Sequence, residues 1–329
     1  MGGSSWDTDV HHAQAQQRAA TNTPTFKHDA DVRSGKAAAR VHTLLDITGK
    51  VRESRDSPAH PTSKAIAVMF DHTGSMGAVP RVLQQKLPQL MAMLLSRGYC
   101  EHPQVLFGAI GDCFDGSKAP LQVGQFESGN EMDDAFAAML IEEAGGGTKR
   151  ESYDLAMWYF ANRVEMDCLI KRGEKGYLFL IGDEQPYLKT TRDQIAEHTG
   201  VHLEADLTIE QIAADLQKKF EVFFLIPAGT SYYNDKEVHD AWARLIGPER
   251  VVKLADPTSV CEAIASTVGL MEGAIDAAGL HRDLAAIAPA SVVASVSTGL
   301  RGVADQAALA RVGSGDLPAR TGTSAVERL

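Results

Sequence analysis

Three short segments of the sequence combine carboxylate and hydroxyl side chains with glycine. The first is DHTGS (71–75), which follows the apolar run KAIAVMF (64–70). The second is Gly147-Thr148, and the third is GDE (182–184), which follows another apolar run. These segments offer oxygen ligands and no thiolate, which suits a hard cation such as Mg²⁺. Two carboxylates would balance the charge of the ion, and a carboxylate from another molecule could take an open position.

The elements that must position these residues are strands alternating with helices from Lys64 onward. Apolar runs predict strands at 64–70, 104–114, 120–126, 175–186, 221–229 and 251–255. Amphipathic or capped segments predict helices at 79–96, 131–143, 148–164, 208–219, 235–246 and 256–271. This alternation favours an α/β fold with a doubly wound, mainly parallel sheet and helices on both faces, in which 120–126 is an antiparallel edge.

The three oxygen-rich segments fall at one edge of this predicted sheet. In open α/β sheets, ligands bind outside the carboxyl ends of the strands, where the connecting loops separate. We therefore expect the segments to meet there. Two local signals refine the helices: Pro88 should kink or split the helix 79–96, and Thr208 with Gln211 predicts a capping box.

The sequence divides into three parts. Residues 1–61 are polar and predict a flexible, partly disordered arm, within which VHTLLDI (41–47) is apolar enough to pack as a strand or half-turn. Residues 62–273 carry the strand and helix pattern. Residues 274–329 are rich in Ala, Ser and Gly and predict a partly helical tail whose end, 313–329, is disordered.

Composition excludes several classes of protein. The formal charge of −11 argues against broad binding to nucleic acids or anionic membranes. No apolar run is long enough to span a bilayer and the first residues lack a signal peptide, so we expect a cytoplasmic protein without membrane contact. Four widely spaced cysteines in apolar surroundings predict buried thiols rather than disulfides or a zinc site.

The pattern of the three segments resembles the von Willebrand factor type A (vWA) family and its metal-ion-dependent adhesion site. The resemblance rests on DHTGSMG (71–77) after a buried strand, GGT (146–148) before a predicted helix and a later strand that ends in Gly182-Asp183. It covers about 62–273. The three separated segments together are specific, whereas each motif by itself is weak.

This resemblance implies a ligand set for the ion. Asp71, Thr73 and Ser75 would be the ligands of the first loop, Thr148 the hydroxyl of the second, and Asp183 the carboxylate of the third. Thr73 stands where the family more often has Ser, which keeps the hydroxyl. The third segment reads GDEQ rather than TDG, so either Asp183 or Glu184 could face the ion, and we favour Asp183. Mg²⁺ is the expected ion, with Mn²⁺ or Ca²⁺ as alternatives.

Rival sites have weaker support. A metal-dependent phosphohydrolase using Asp71 is the strongest rival, but a dehalogenase-like enzyme needs a second acid two residues on, where this chain has Thr73. GGGTK (145–149) has the wrong order for a phosphate-binding loop, and Ser75 lacks the glycine of a nucleophile elbow. A zinc site at His198 and His202 is disfavoured because Gly200 interrupts the helix it requires.

The sequence and the resemblance together predict a binding module without catalysis of its own. The partner would be another protein that supplies an Asp or Glu to the metal ion. Intracellular members of the family commonly work in multiprotein complexes, some with AAA+ ATPases, so the resemblance implies such a partner here. The long segment 185–206 beside the site would form part of the recognition surface.

Overall fold

A six-stranded sheet forms the centre of the protein. The computed structural model describes residues 4–76, 78–142 and 148–314, except for the side chains of Ser75 and of residues 313–314. The predicted glycine connector at 145–147 and the end of the tail at 315–329 lie outside the described residues. The strands are β1 Arg52–Ser54, β2 Lys64–Asp71, β3 Pro103–Ile110, β4 Leu121–Val123, β5 Arg150–Glu151, β6 Val164–Met166, β7 Gly176–Ile181, β8 Gln185–Pro186, β9 Lys189–Thr190, β10 Leu207–Thr208, β11 Phe220–Pro227 and β12 Val251–Leu254.

Helices surround this sheet. The α-helices are α1 Thr8–Ala20, α2 Lys27–Arg33, α3 Val79–Gln85, α4 Leu87–Met91, α5 Met132–Ala138, α6 Tyr153–Arg163, α7 Asp167–Arg172, α8 Arg192–Thr199, α9 Ile209–Leu216, α10 Lys236–Ile246, α11 Val260–Met271, α12 Ala277–Ala285, α13 Ala290–Gly299 and α14 Arg301–Ser314. Short 3₁₀-helices occupy Gly74–Met76, Pro248–Arg250 and Pro257–Ser259, and a π-helix occupies Ala92–Ser96.

The central sheet has the strand order β12-β11-β7-β2-β3-β4. All neighbouring strands are parallel except β4, which pairs antiparallel with β3 at one edge. The chain builds β3 and β4 on one side of β2 and then crosses to β7 on the other side. The strand order therefore reverses between β2 and β7, and such a point leaves a crevice at the carboxyl ends of the strands. The predicted α/β class with a mostly parallel sheet is confirmed.

Two hydrophobic clusters cover the two faces of the sheet. Ile66, Val68 and Phe70 of β2 face one cluster, which includes side chains of α3, α4, α5 and α11. Ala65, Ala67 and Met69 face the other, which includes side chains of α6, α9 and α10. Successive side chains of a strand point to opposite faces, so a strand buried on both faces must be apolar throughout. This explains the uninterrupted apolar run that ends at Asp71.

Several local predictions are confirmed by the structure. The predicted helix 79–96 is divided at Lys86, just before Pro88, into α3 and α4. The hydroxyl of Thr208 accepts a hydrogen bond from the Gln211 amide, and the Gln211 side chain accepts one from the Thr208 amide, which completes the predicted capping box. The four cysteines are free thiols, and three of them are buried as predicted, whereas Cys113 is partly exposed. Within the described part of the chain, no helix is long and apolar enough to cross a membrane.

The predicted helix 148–164 is wrong at its beginning. The helix α6 begins at Tyr153, because residues 150–151 instead form β5, which pairs parallel with β8. The amide of Gln185 also donates a hydrogen bond to the carbonyl of Lys149 at 3.0 Å. Residues 150–151 are therefore extended and lie beside the segment that follows Asp183, whereas Lys149 directly before them has a positive φ of 57°. Local amphipathicity could not reveal this pairing, since it joins residues 35 positions apart.

The amino-terminal segment differs from the predicted flexible arm. It contains α1 and α2, and the side chains of Phe26, Leu45 and Ile47 are buried in the hydrophobic clusters. VHTLLDI, predicted to be a strand or half-turn, forms turns that insert these last two side chains. A few anchoring apolar side chains in a polar segment are enough to fix it, and average composition does not show them. At the other end, α12, α13 and α14 follow α11 and agree with the helical part of the predicted tail.

Candidate functional site

Asp71 ends β2 at the crevice between β2 and β7. Its side chain is fully buried. Its Oδ1 atom accepts hydrogen bonds from the amide and the hydroxyl of Thr73, both at 2.7 Å. Its Oδ2 atom has no hydrogen-bond partner among the described residues. Burial raises the pKa of Asp71 to about 7, against the hydrogen bonds from Thr73, which lower it. One carboxylate oxygen is thus held in place while the other has no partner.

The rest of the first predicted loop turns away from the strand immediately. Thr73 is buried, and residues 74–76 form a single 3₁₀ turn that leads into α3. The backbone of Ser75 lies in this turn, but its side chain is outside the described part of the structure. His72 is buried. Its Nδ1 accepts from the Glu142 amide at 3.1 Å, and its Nε2 lies 3.2 Å from the Ala119 carbonyl.

The third predicted segment lies directly across the crevice. Asp183 follows β7 and is fully buried, and its Oδ2 accepts a hydrogen bond from the Tyr232 amide at 2.7 Å. Its negative charge also raises the pKa of Asp71, so the two carboxylates face the same space. Glu184 is 8% exposed, and burial together with the charges of Asp71 and Asp183 raises its pKa to about 8.

The second predicted segment is less enclosed. Thr148 is exposed, and its hydroxyl donates to the carbonyl of Arg150 at 3.3 Å. Because β5 pairs with β8, this segment runs beside residues 183–186. The structure thus joins Asp71 and Thr73 by hydrogen bonds, places Asp183 opposite them and Thr148 at the rim, and leaves the role of the Ser75 hydroxyl a prediction.

Three further polar groups lie in the same crevice, and two of them, Glu151 and Tyr153, are not predicted from the sequence. Glu151 is 1% exposed, and its Oε2 atom has no partner in the described residues. Burial, followed by the charges of Asp71 and Glu184, raises its pKa to about 11. Asp112 lies at the end of β3 and accepts hydrogen bonds from Phe114 and Tyr187. The sequence offers one indication of the buried position of Glu151, which is that this acid lies next to a long apolar stretch.

Tyr153 is the third of these groups. Its buried hydroxyl approaches Asp71 without completing a hydrogen bond. A Cβ atom on Gly182 would come within 1.8 Å of the same hydroxyl, so only glycine lets the tyrosine lie against the end of β7. Burial and the charges of Asp71 and Asp183 raise the pKa of Tyr153 well above its usual value. A neutral hydroxyl therefore remains beside the two carboxylates.

The predicted metal ligands can be tested against this arrangement. Among the described residues, no group of three or more His, Cys, Asp or Glu side chains is arranged to hold a metal ion. The predicted set has only two carboxylates and relies on hydroxyls for the rest. The two acids of this set, Asp71 and Asp183, are both buried at the crevice, and Asp71 Oδ2 has no hydrogen-bond partner in the described part of the chain. A buried carboxylate without a partner is costly unless a cation or donor compensates it, so these residues fit an oxygen-liganded divalent ion.

Comparison with known proteins identifies no family for this sequence. No family model matches it, and no curated protein matches it. Solved structures that match part of this chain include the pilus adhesin SpaC from Lactobacillus rhamnosus GG, at 10% identity over 68% of this chain and 31% of that one, with a TM-score of 0.45. Another is proximal thread matrix protein 1 from the mussel byssus, at 11% identity over 69% of this chain and 47% of that one, with a TM-score of 0.42. This chain spans less than half of either protein.

Proposed function

We propose that this protein is a vWA-type binding module that holds a divalent cation at the carboxyl edge of its sheet and captures a partner protein through that ion. Asp71 and Asp183 would supply the carboxylates, and Thr73, Ser75 and Thr148 the hydroxyls. Mg²⁺ is the expected ion, since it favours oxygen ligands. An Asp or Glu of the partner would complete the coordination of the ion.

One observation carries this proposal. The two buried carboxylates of Asp71 and Asp183 lie at the point where the strand order reverses, and Asp71 Oδ2 has no hydrogen-bond partner in the described residues. Ligands of open α/β sheets bind at this place. Burial is the main cause of the raised pKa of Asp71, and the charge of Asp183 raises this pKa further. A bound cation would lower that pKa and stabilise the ionised carboxylates.

The residues also support binding over catalysis. Thr73 occupies the position where a phosphohydrolase of the dehalogenase type would need its general acid, and its hydroxyl is already hydrogen-bonded to Asp71. The resemblance to the vWA family makes a partner in a multiprotein complex, an AAA+ ATPase subunit included, the expected ligand. The cytoplasm is the expected compartment.

The first experiment measures the ion itself. Isothermal titration of Mg²⁺ and Mn²⁺ into the full chain should show binding that Asp71→Asn and Asp183→Asn abolish. Asp154→Asn is the matched control, because Asp154 is an equally buried carboxylate outside the predicted ligand set. Equal binding by Asp71→Asn and wild type would contradict the proposal.

The second experiment concerns the partner. Immobilised protein should retain a cellular protein in Mg²⁺ and release it in EDTA, and Asp71→Asn should fail to retain it although it remains folded. Replacing single acidic residues of the retained protein should then identify the carboxylate that reaches the ion. Turnover of a phosphate ester that disappears in Asp71→Asn would instead favour the phosphohydrolase.

A further inference from the structure

The amino-terminal arm, residues 4–61, is fixed to the body of the protein beside the candidate metal centre. The amide of Asp7 donates to Asn130 Oδ1, and Asn130 Nδ2 donates to the carbonyl of Asp7, both at 2.9 Å. His11 Nδ1 lies 2.7 Å from Asp133 Oδ2, and both side chains are buried. Phe26 is inserted among the core residues. The arm is thus held at the beginning of α1 and again at Phe26, directly before α2.

A groove of about 890 Å³ separates this arm from the first metal-binding loop. We call it the arm groove. One wall is formed by α1, α2 and the residues between them, and the other by residues 72–74 and α3. Thr73, one of the predicted ligands, is part of the lining. A molecule bound in the arm groove would therefore lie next to the ion.

The charged residues of the arm groove are mainly basic, in a protein with a net charge of −11. Arg18, Arg33 and Arg81 line it, against Asp29 as the acid. Arg33 pairs with Asp29 at 2.9 Å. The guanidinium groups of Arg18 and Arg81 form no ion pair or hydrogen bond with any other residue that the structure describes. Arginines on opposite walls of one groove that are unpaired among the described residues can pair with anionic groups of a ligand.

Apolar side chains complete the lining, among them Pro24, Pro80 and Ile141. A free phosphate would use only the arginines. An extended peptide with alternating acidic and apolar side chains would use both parts of the surface. The mixed lining and the position beside Thr73 therefore favour a peptide segment.

We propose that the arm groove binds an acidic segment of a partner protein, whose Asp or Glu side chains pair with Arg18 and Arg81. The inference deepens the proposed function, since that segment would continue from the carboxylate bound to the ion. The arm then forms one wall of the recognition surface. The preference of the groove for acidic peptides depends on the arginines and holds with or without the ion.

The test uses a labelled octamer of alternating glutamate and leucine, with fluorescence anisotropy on the full chain in Mg²⁺ and in EDTA. Wild type should bind it more tightly than an octamer of alternating lysine and leucine. Arg18→Glu and Arg81→Glu should each weaken binding about tenfold or more, because each replaces an attraction with a repulsion. Arg81→Lys should retain most of the affinity. Circular dichroism checks that each variant is folded.

Arg301→Glu is the matched control, since Arg301 is an exposed arginine at the start of α14, outside the arm groove. If Arg18→Glu and Arg81→Glu bind the acidic octamer as well as Arg301→Glu does, the inference is overturned. Binding of inorganic phosphate that the octamer cannot displace would also overturn it.

The same titrations separate this inference from the proposed function. Affinity that depends on the arginines but is the same in Mg²⁺, in EDTA and in Asp71→Asn would support the groove and contradict the metal bridge. Affinity that depends on Mg²⁺ and Asp71 but not on the arginines would support the metal bridge and contradict the arm groove as the binding site.

Discussion

The two ends of the central sheet bury acidic side chains in opposite ways. At the amino end, Asp56 accepts hydrogen bonds from Arg172 at 2.9 Å and Lys171 at 3.2 Å, and Asp167 pairs with Lys171 at 2.7 Å. At the carboxyl end, Asp71 and Glu151 are buried more deeply, each with one oxygen that has no partner in the described residues. Basic side chains therefore pair with Asp56 and Asp167 at the amino end. At the carboxyl end, the described contacts of Asp71 and Glu151 include no basic side chain.

The pKa values separate the two ends in the same way. At the amino end, burial raises the pKa of Asp56, but hydrogen bonds from Arg172, Ser63 and Lys171 outweigh it and hold the pKa well below its usual value. At the carboxyl end, burial raises the pKa of Asp71 to about 7 and that of Glu151 to about 11. Paired acids hold the fold together, whereas uncompensated buried acids weaken the fold and indicate a site for a ligand.

The largest expected effect concerns Asp154, whose pKa burial raises from 3.8 to about 7. As pH rises between these two values, the unfolded chain loses this proton and the folded protein keeps it. The free energy of unfolding therefore falls over that range, by at most about 4 kcal/mol for this group. Asp154→Asn should remove that part of the pH dependence, as urea unfolding in EDTA from pH 4 to pH 8 would show. Identical pH profiles for the two proteins would contradict the assignment.

The next effect is that of the ion on stability. Mg²⁺ at about a hundred times its dissociation constant should raise the free energy of unfolding by about 2.7 kcal/mol, because it binds only the folded protein. Urea unfolding with Mg²⁺ or EDTA measures this. Asp71→Asn should show no gain, and Asp56→Asn should show the full gain. A gain of equal size in Asp71→Asn would remove the distinction between the two ends of the sheet.

Asp56→Asn should itself destabilise the protein by about 2 kcal/mol at pH 7, since it weakens charge-assisted hydrogen bonds from Arg172 and Lys171. The sign of its pH dependence is opposite to that of Asp154. The folded-state pKa of Asp56 is lowered, so its contribution is complete above the unfolded-state pKa and is lost as the pH falls through the folded-state value. Wild type and variant should therefore converge in strong acid. A constant difference at every pH would mean that the charge of Asp56 does not contribute.

The smallest effect is expected for Lys171→Ala. The Lys171 side chain is 53% exposed, although it pairs with both Asp56 and Asp167. Exposed ion pairs contribute little and are screened by salt, so the free energy of unfolding should fall less than in Asp56→Asn, and by less still in high salt. Unfolding at two ionic strengths measures this. A loss as large as that of Asp56→Asn would show that Lys171, rather than Arg172, compensates the buried acid.

Much of the sheet could be predicted because its signals are local. The apolar run before Asp71 had to be a strand buried on both faces, and Pro88 had to interrupt the helix that contains it. The capping box of Thr208 and Gln211 depends on four consecutive residues. Each of these features follows from short stretches of chain, and the structure has all of them.

The candidate site could be predicted only in part. Asp71, Thr73 and Asp183 were found because they follow apolar strands in a sheet whose carboxyl edge collects loops. The sequence pattern does not indicate Glu151 and Tyr153 as site residues, because it predicts the start of a helix where the structure has β5. The pairing of Arg150–Glu151 with Gln185–Pro186 also means that Thr148 precedes a short strand instead of beginning a helix. No short window of sequence contains both partners of that pair.

The sequence by itself determined the alternation of strands and helices and the acidic and hydroxyl residues at the strand ends, because periodicity, capping and strand-end position are local properties. Only the tertiary structure decided that Glu151 joins the acids of the crevice, that Asp71 retains an oxygen without a described partner, and that the polar arm packs beside Thr73 with Arg18 and Arg81 unpaired among the described residues. These features arise from contacts between residues far apart in the chain. Burial and charge compensation, which depend on such contacts, cannot be read from residue order.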